Sequence, residues 1–342
     1  MKIANIFISI FILSAILSGC AGEHTESSLP WTETEPVTLN ETQMPMEPDA
    51  QNETETMADS GEQDGTSAEA VPEVAKEPAD VPSVTTPRPD WGSYFGNLNG
   101  AAVIYDPDEN AFQIYNEDLA DTRRSPCSTF KIISSLVGLE SGAIDRKDST
   151  RPWSGEAFWN DDWNQDIDFP TAFRTSCVWY YRQVIDDIGP EGMQDALELL
   201  QYGNCDISDW EGHLNNNNSN PALTGFWIES SLKISPREQT QVLERIFGQA
   251  SEYPPDILAA LEEVMFLPET GGESCSLYGK TGMGKSNGIV VDAWYTGFAD
   301  VGHRVYFCVY LGETANQDVS SAAAREIAVS LIRDNFDIRI SE

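Results

Sequence analysis

Ser128-Thr129-Phe130-Lys131 places a hydroxyl and an amine three residues apart, just after Pro126. If the stretch opens a helix, both side chains share one face, because i and i+3 are helical neighbours. A serine hydroxyl becomes a useful nucleophile only when a nearby base takes its proton, and a lysine one turn away can be that base. A serine at a helix start also sits among free backbone N–H groups, which can face a developing oxyanion. About one Ser-x-x-Lys match is expected by chance in a chain of this length. Ser230-Ser231-Leu232-Lys233 is a second one, but Ile234-Ser235-Pro236 follows it, which predicts an extended segment entering a helix.

Three more elements follow Ser128 in chain order: Ser176-Cys177-Val178 after a helical run, Tyr202-Gly203-Asn204 after another, and Lys280-Thr281-Gly282 on a C-terminal strand. A lysine at a strand edge can hold a substrate carboxylate, and a glycine beside it lets substrate backbone approach closely. Each triplet alone carries little weight, and their ordered combination carries the reading.

The elements that must position these residues follow from periodicity and turn signals. Ala101–Tyr105 and Phe112–Tyr115 read as a hairpin around Asp106-Pro107-Asp108-Glu109-Asn110. Ser128–Glu140 reads as a helix, with Gly142 just past its end. Thr171–Ile188, Gly192–Gln201, Pro236–Phe247, Pro255–Met265 and Val319–Arg333 are further helices. Asn215–Asn218 marks a surface loop. Ser276–Thr281, Ile289–Ala299 and Arg304–Leu311 read as antiparallel strands joined by short turns. Strands at both ends with helices between predict an α+β (mixed α/β) domain, one mainly antiparallel sheet flanked by helices.

The motifs in this order resemble the penicillin-recognising serine enzymes, and in detail the class D β-lactamases, whose set is Ser-Thr-Phe-Lys, Ser-x-Val, Tyr-Gly-Asn and Lys-Thr-Gly. The runs Phe226–Gln239 and Ala293–Phe298 extend the resemblance, which spans about residues 92–335. It implies a single β-lactamase/transpeptidase-like domain in which Ser128 attacks the lactam carbonyl. Lys131 would be the base, carried as an N-carboxylated lysine formed with CO2; burial, which disfavours the ammonium, suits that modification. The carbamate would also activate the deacylating water. Val178 would be an apolar wall beside it, and the Trp227 indole N–H would hold it. Ser176 would relay a proton to the leaving nitrogen, and Lys280 and Thr281, with Gly282 beside them, would bind the drug's carboxylate. The backbone N–H groups of Ser128 and Met283 would form the oxyanion hole. Arg325 stands one position off the spacing expected of a carboxylate-gripping arginine on the last helix.

Residues 1–20 read as an export leader: Lys2, an apolar run from Ile3 to Leu17, then Leu17-Ser18-Gly19-Cys20. The run is short for a membrane span. Leu-Ser-Gly-Cys resembles a lipobox, which predicts lipid attachment at Cys20 and an extracytoplasmic protein anchored to a bacterial membrane; an ordinary cleaved leader is the alternative. Residues 21–90 hold 17 acidic residues against Lys76 and Arg88, with 9 of the 19 prolines and Trp31 as their only aromatic. Too little apolar surface and too much self-repulsion predict a disordered stalk, with an acidic binding tail as the other reading.

Residues 91–342 are enough for one substantial core. They carry 39 acidic against 17 basic residues, a balance that excludes nucleic acid as a partner. Five cysteines remain there with no metal spacing, and only His213 and His303 lie in the region. Zinc hydrolysis and Ser–His–Asp chemistry have no signature. The expected activity is a serine β-lactam hydrolase that opens β-lactam antibiotics. The alternative is a β-lactam sensor that is acylated but not turned over, since Phe226–Gln239 and Trp179-Tyr180-Tyr181 are sensor-like too. Val178, where such sensors typically carry Asn, favours the hydrolase, as does the lack of transmembrane helices and a cytoplasmic effector in the sequence. A peptidoglycan D,D-peptidase is a third reading, disfavoured by the surroundings of Trp227 and Val178.

Overall fold

The C-terminal strands are apolar on both sides of their alternation, the pattern of strands covered on two faces. The computed structural model describes residues 90–214, 219–268, 275–312 and 319–336. The expected leader with Cys20, the expected stalk as far as residue 89, and the 215–218 loop lie outside the described residues. In chain order the strands are β1 (Gly100–Asp106), β2 (Ala111–Tyr115), β3 (Phe266–Leu267), β4 (Ser276–Ser286), β5 (Ile289–Asp300) and β6 (Arg304–Gly312). They form one six-stranded sheet in the order β2-β1-β6-β5-β4-β3, every neighbouring pair antiparallel. The first strand in the chain, β1, thus pairs with the last, β6, so that one sheet joins early and late segments as the sequence pattern predicts.

The longer helices are α3 (Lys131–Ser141), α5 (Val178–Leu200), α6 (Pro236–Phe247), α7 (Pro255–Met265) and α8 (Ser321–Asn335); α1 (Gly92–Phe95), α2 (Glu117–Ala120) and α4 (Phe169–Arg174) are short. Ile327, Ala328 and Leu331 of α8 pack with Tyr295, Phe307 and Val309 on one face of the sheet. Phe298 and Tyr306 on the opposite face join the core of α3, α5, α6 and α7. The bounds expected for α6 and α7 are the observed ones. α6 starts cleanly because Ser235 and Glu238 cap each other reciprocally and Pro236 sits at the first helical position.

Two expected helices are corrected. Ser128–Glu140 is not one helix: Cys127–Phe130 is a 3₁₀ turn and the α-helix begins at Lys131. The Pro126 carbonyl accepts from both Thr129 N (3.1 Å) and Thr129 Oγ1 (2.7 Å), which tightens that turn to i→i+3. Thr171–Ile188 is likewise broken. α4 starts at Phe169, capped by Asp168, and stops at Arg174. Ser176 then adopts φ +56, and Cys177 N donates back to Ala172 O before α5 begins at Val178. Further on, Gly189 (φ 78) and Pro190 kink α5, which separates the expected Gly192–Gln201 helix from the first half.

β3 has no counterpart in the sequence pattern. It pairs with β4 only at Tyr278 and Leu277, so from Gly279 onward β4 has no strand on its outer side among the described residues. That open edge carries Lys280, Thr281, Gly282 and Met283.

Candidate active site

Ser128 lies in the 3₁₀ turn and Lys131 is the first residue of α3, so one turn of backbone separates them. Lys131 Nζ donates to Ser128 Oγ at 3.0 Å. The lysine is 1% exposed, and burial lowers its pKa to about 8. The positive end of α3 also disfavours the ammonium. Its amine stands 5.2 Å from the centroid of the Tyr181 ring, whose hydroxyl pairs with Ser135 at 2.8 Å. A serine hydroxyl bonded to a buried amine of lowered pKa is a nucleophile–base pair in geometry.

The open edge of β4 meets this turn. Lys280 is 4% exposed, and its Nζ donates to Ser176 Oγ at 2.5 Å, Thr281 O at 3.1 Å and Thr281 Oγ1 at 3.3 Å. Burial first, and the Lys131 charge second, hold the Lys280 pKa well below the usual amine range. The φ +56 turn between α4 and α5 therefore brings Ser176 to the sheet edge, while Val178 opens α5. Two buried amines with no carboxylate bonded to either among the described residues form a pocket suited to an anion or to a neutral amine.

Gly282 was expected to leave room for substrate. A Cβ there would lie 2.9 Å from Pro126 O, 3.0 Å from Thr129 Cγ2 and 3.1 Å from Thr129 N. The space it leaves is filled by the Ser128 turn, so the glycine seats the strand on the nucleophile. Met283, 42% exposed, shares with Ser128 and Val178 the lining of a cavity of about 420 Å³. Trp159, Trp163, Leu223 and Ile228 give that cavity apolar walls, and His213, Glu229 and Lys285 add polar groups. His213 Nδ1 is 2.9 Å from Asp209 Oδ2.

Trp227 is 1% exposed and stacks on Phe130, the residue before Lys131, at 6.2 Å between centroids. Its backbone carbonyl accepts from Cys127 N at 3.0 Å and Ser125 Oγ at 3.3 Å, which ties its loop to the nucleophile turn. Tyr202-Gly203-Asn204 acts behind this loop. Asn204 Nδ2 donates to Ser231 O at 2.9 Å, Lys233 N donates to Asn204 Oδ1 at 2.8 Å, and Asn204 N donates to Lys233 O at 3.0 Å. Gly203 has φ +55, and a Cβ there would fall 1.9 Å from Lys233 O. The triplet clamps the 226–235 segment and lines no part of the cavity, while the Tyr202 ring meets Phe130 edge-on at 5.5 Å.

The second Ser-x-x-Lys is part of the same clamp. Ser230 donates to the Asp209 carboxylate, and the backbone of Lys233 is held by Asn204. Arg325 sits on α8, where its charge reaches Tyr295 on that helix's side of the sheet, and it does not line the Ser128 cavity. Cys127, Cys177, Cys205, Cys275 and Cys308 are all free thiols, and burial pushes the Cys177 pKa up to about 12. Among the described residues no group of acidic, histidine and cysteine side chains could hold a metal, and no helix is long and apolar enough to cross a membrane.

Sequence reasoning missed Ser125, Tyr181, Trp159 and Glu229. Ser125 and Glu229 flank or lie within quoted motifs, but their work is done through backbone contacts that residue type does not reveal.

Residues 100–333 match the family described as the penicillin binding protein transpeptidase domain. The probable beta-lactamase YbxI of Bacillus subtilis is 31% identical over 70% of this chain and 82% of its own length. The regulatory protein BlaR1 of Bacillus licheniformis is 28% identical over 78% of this chain, and the match spans 42% of BlaR1. A solved class D β-lactamase, the BSU-2 delta mutant, superposes with a TM-score of 0.62 at 28% identity, covering 77% of this chain and 99% of that one.

Proposed function

This chain belongs to the penicillin-binding-protein transpeptidase domain family, with class D β-lactamases among its homologues, and on that premise we propose that it is a serine β-lactam hydrolase acylated on Ser128. The observation that carries the reading is the 3.0 Å contact between Ser128 Oγ and a buried Lys131 amine whose pKa is lowered to about 8. A neutral amine at that distance can take the serine proton as the hydroxyl attacks the lactam carbonyl.

The other residues take roles that fit their positions. The carboxylate of the antibiotic would pair with Lys280 and Thr281 on the open β4 edge. Ser176, 2.5 Å from Lys280 Nζ, would pass a proton to the leaving lactam nitrogen. The N–H groups of Ser128 and Met283 would hold the oxyanion, since Gly282 brings the strand against the serine turn. The buried, deprotonation-prone Lys131 amine fits N-carboxylation by CO2, which would supply a carboxylate base for the deacylating water. Val178 would keep that position dry, and the Trp227 indole would donate to it. For the chain as a whole we propose a leader over residues 1–20, lipid attachment at Cys20, an acidic stalk over residues 21–90 and the catalytic domain over residues 91–342. That arrangement would place the domain outside a bacterial membrane, with β-lactam antibiotics as its partners.

Incubating the purified chain with a chromogenic penicillin, with and without bicarbonate, tests this. Sustained turnover lost in Ser128→Ala is the expected result. A single stoichiometric burst followed by a long-lived acyl-enzyme is the result of a sensor. BlaR1 is a relative of comparable similarity, and that second reading stands on it.

A further inference from the structure

We propose that Glu229 is a positioning residue that holds the β4–β5 hairpin, and with it Met283, in register with Ser128. The inference rests on the acylation of Ser128 proposed above. Glu229 lies in the loop that carries Trp227 and adopts φ +52, a left-handed conformation that non-glycine residues seldom take. Such a conformation persists when its surroundings over-determine it, and an observed outlier is a reason to look for a role.

Contacts of Glu229 reach three different parts of the site. Its backbone N donates to Ser125 Oγ at 2.8 Å. Ser125 is 1% exposed and its hydroxyl donates to Trp227 O, while Ser125 O accepts from Trp294 Nε1 at 3.0 Å. The Glu229 Cγ then crosses above Gly284, where an added Cβ would stand 3.4 Å from it and 2.9 Å from Cys127 Sγ. Finally the carboxylate accepts from the backbone N of Lys285.

The third contact falls where the sheet changes register. β4 and β5 pair regularly from Ser276 to Gly284, and the register shifts between Gly284 and Lys285. A bulge leaves backbone groups out of the ladder and re-aims the strand. The extra residue, Val291, lies on β5 with its carbonyl met by the Tyr310 hydroxyl, and on β4 it is the Lys285 N–H beside the shift that takes a partner from another loop. The Glu229 carboxylate is that partner. Gly282, two residues before the bulge, already rests on Pro126 and Thr129. The serine turn, the Trp227 loop and the hairpin therefore form a closed ring, and Met283 and Gly284 are the strand residues between its two anchored points, Gly282 and Lys285. An unanchored hairpin would let the Met283 N–H drift from the oxyanion position, and a displacement of about 1 Å costs on the order of 100-fold in rate.

Glu229→Gly and Glu229→Gln separate the tether from the strain. Glycine accepts φ +52 freely and removes the carboxylate, while glutamine keeps an acceptor oxygen of the same reach. The full chain and both variants are acylated by a fluorescent penicillin in stopped flow, and their melting temperatures are recorded. The expected result is that Glu229→Gly acylates roughly 10- to 100-fold more slowly with no loss of melting temperature, and Glu229→Gln acylates near the wild-type rate. A glycine variant that acylates as fast as wild type, or a glutamine variant as slow as glycine, overturns the positioning role. A glycine variant slowed only in step with a lower melting temperature assigns Glu229 to folding and overturns the role as well. A wild-type chain that the penicillin does not label overturns the underlying acylation reading instead.

Discussion

Lys280 Nζ stands 2.5 Å from Ser176 Oγ, which joins the open sheet edge to the turn between α4 and α5. Neither residue is near the other in sequence. The contact exists because β4 outruns its β3 partner and because Ser176 takes a left-handed conformation that ends α4.

The first prediction follows from that contact. Ser176→Ala leaves Lys280 with its hydrogen bonds to Thr281 and its place over the Phe173 ring, and removes the hydroxyl proposed to protonate the leaving nitrogen. Acylation by a chromogenic penicillin is expected to fall by roughly 100-fold, the usual range for a lost proton relay. Because the lactam carboxylate would still meet Lys280, KM is expected to change much less than kcat. A variant with wild-type kcat removes Ser176 from the proton path.

A second prediction concerns pH. The Lys131 pKa in the folded chain is lowered from 10.5 to about 8 by burial. The neutral amine therefore dominates above about pH 8, and acylation measured without bicarbonate is expected to rise with pH through that value. The stability sign follows from proton counts. Between about pH 8 and 10.5 the unfolded chain binds more protons at this lysine, so stability rises with pH across that window. Below it the burial of a charge persists as a cost of about 3 kcal/mol at most. Lys131→Met is thus expected to be inactive and, at pH 6, to melt several degrees above the wild type. A lower melting temperature for that variant would falsify the burial cost assigned to Lys131.

Gly282→Ala supplies a third prediction. The added methyl meets the Pro126 carbonyl at 2.9 Å and the Thr129 backbone N at 3.1 Å, neither of which is the free end of a flexible side chain. Overpacking of this kind costs about 1–3 kcal/mol. Since the displaced atoms belong to the nucleophile turn, acylation is expected to fall along with thermal stability. If the variant melts and acylates like wild type, the turn yields more easily than its packing implies.

Much of this site was legible in the sequence because its chemistry is carried by side-chain types in order. Ser128 and Lys131 could be named from their spacing, and Ser176 and Lys280 from the ordered motifs and the family resemblance they carry; the structure pairs Ser128 with Lys131 and Ser176 with Lys280. The strands β5 and β6 and the helices α6 and α7 were legible from periodicity and caps. The breaks were not. Thr171–Ile188 has uninterrupted helical character, and only a left-handed Ser176 and the Cys177–Ala172 hydrogen bond divide it. Gly282 shows a similar limit: a glycine marks a close approach, but sequence does not say that Pro126 and Thr129 are what approaches it. Tyr202-Gly203-Asn204 reads as a site motif in the sequence, while the Asn204 hydrogen bonds go to the backbone at Ser231 and Lys233.

Trp227 offers the prediction that separates turnover from sensing. Its ring is held against Phe130, Phe226 and the Arg182 guanidinium, so Trp227→Phe keeps most of the packing and loses the indole N–H. Ser128 and Lys131 Nζ remain as they are, and the first acylation is expected to proceed within a few-fold of wild type. Deacylation depends on the proposed carboxylated lysine, and without the indole donor that group loses a hydrogen bond to its charged form. Deacylation is therefore expected to slow by roughly 100-fold and to recover in part when bicarbonate is added. Pre-steady-state bursts measured with and without bicarbonate resolve the two steps. Equal burst and steady-state rates in wild type and variant would take the indole out of the mechanism. A wild-type chain that itself stops after one burst, with bicarbonate present, would give the protein the behaviour of a sensor.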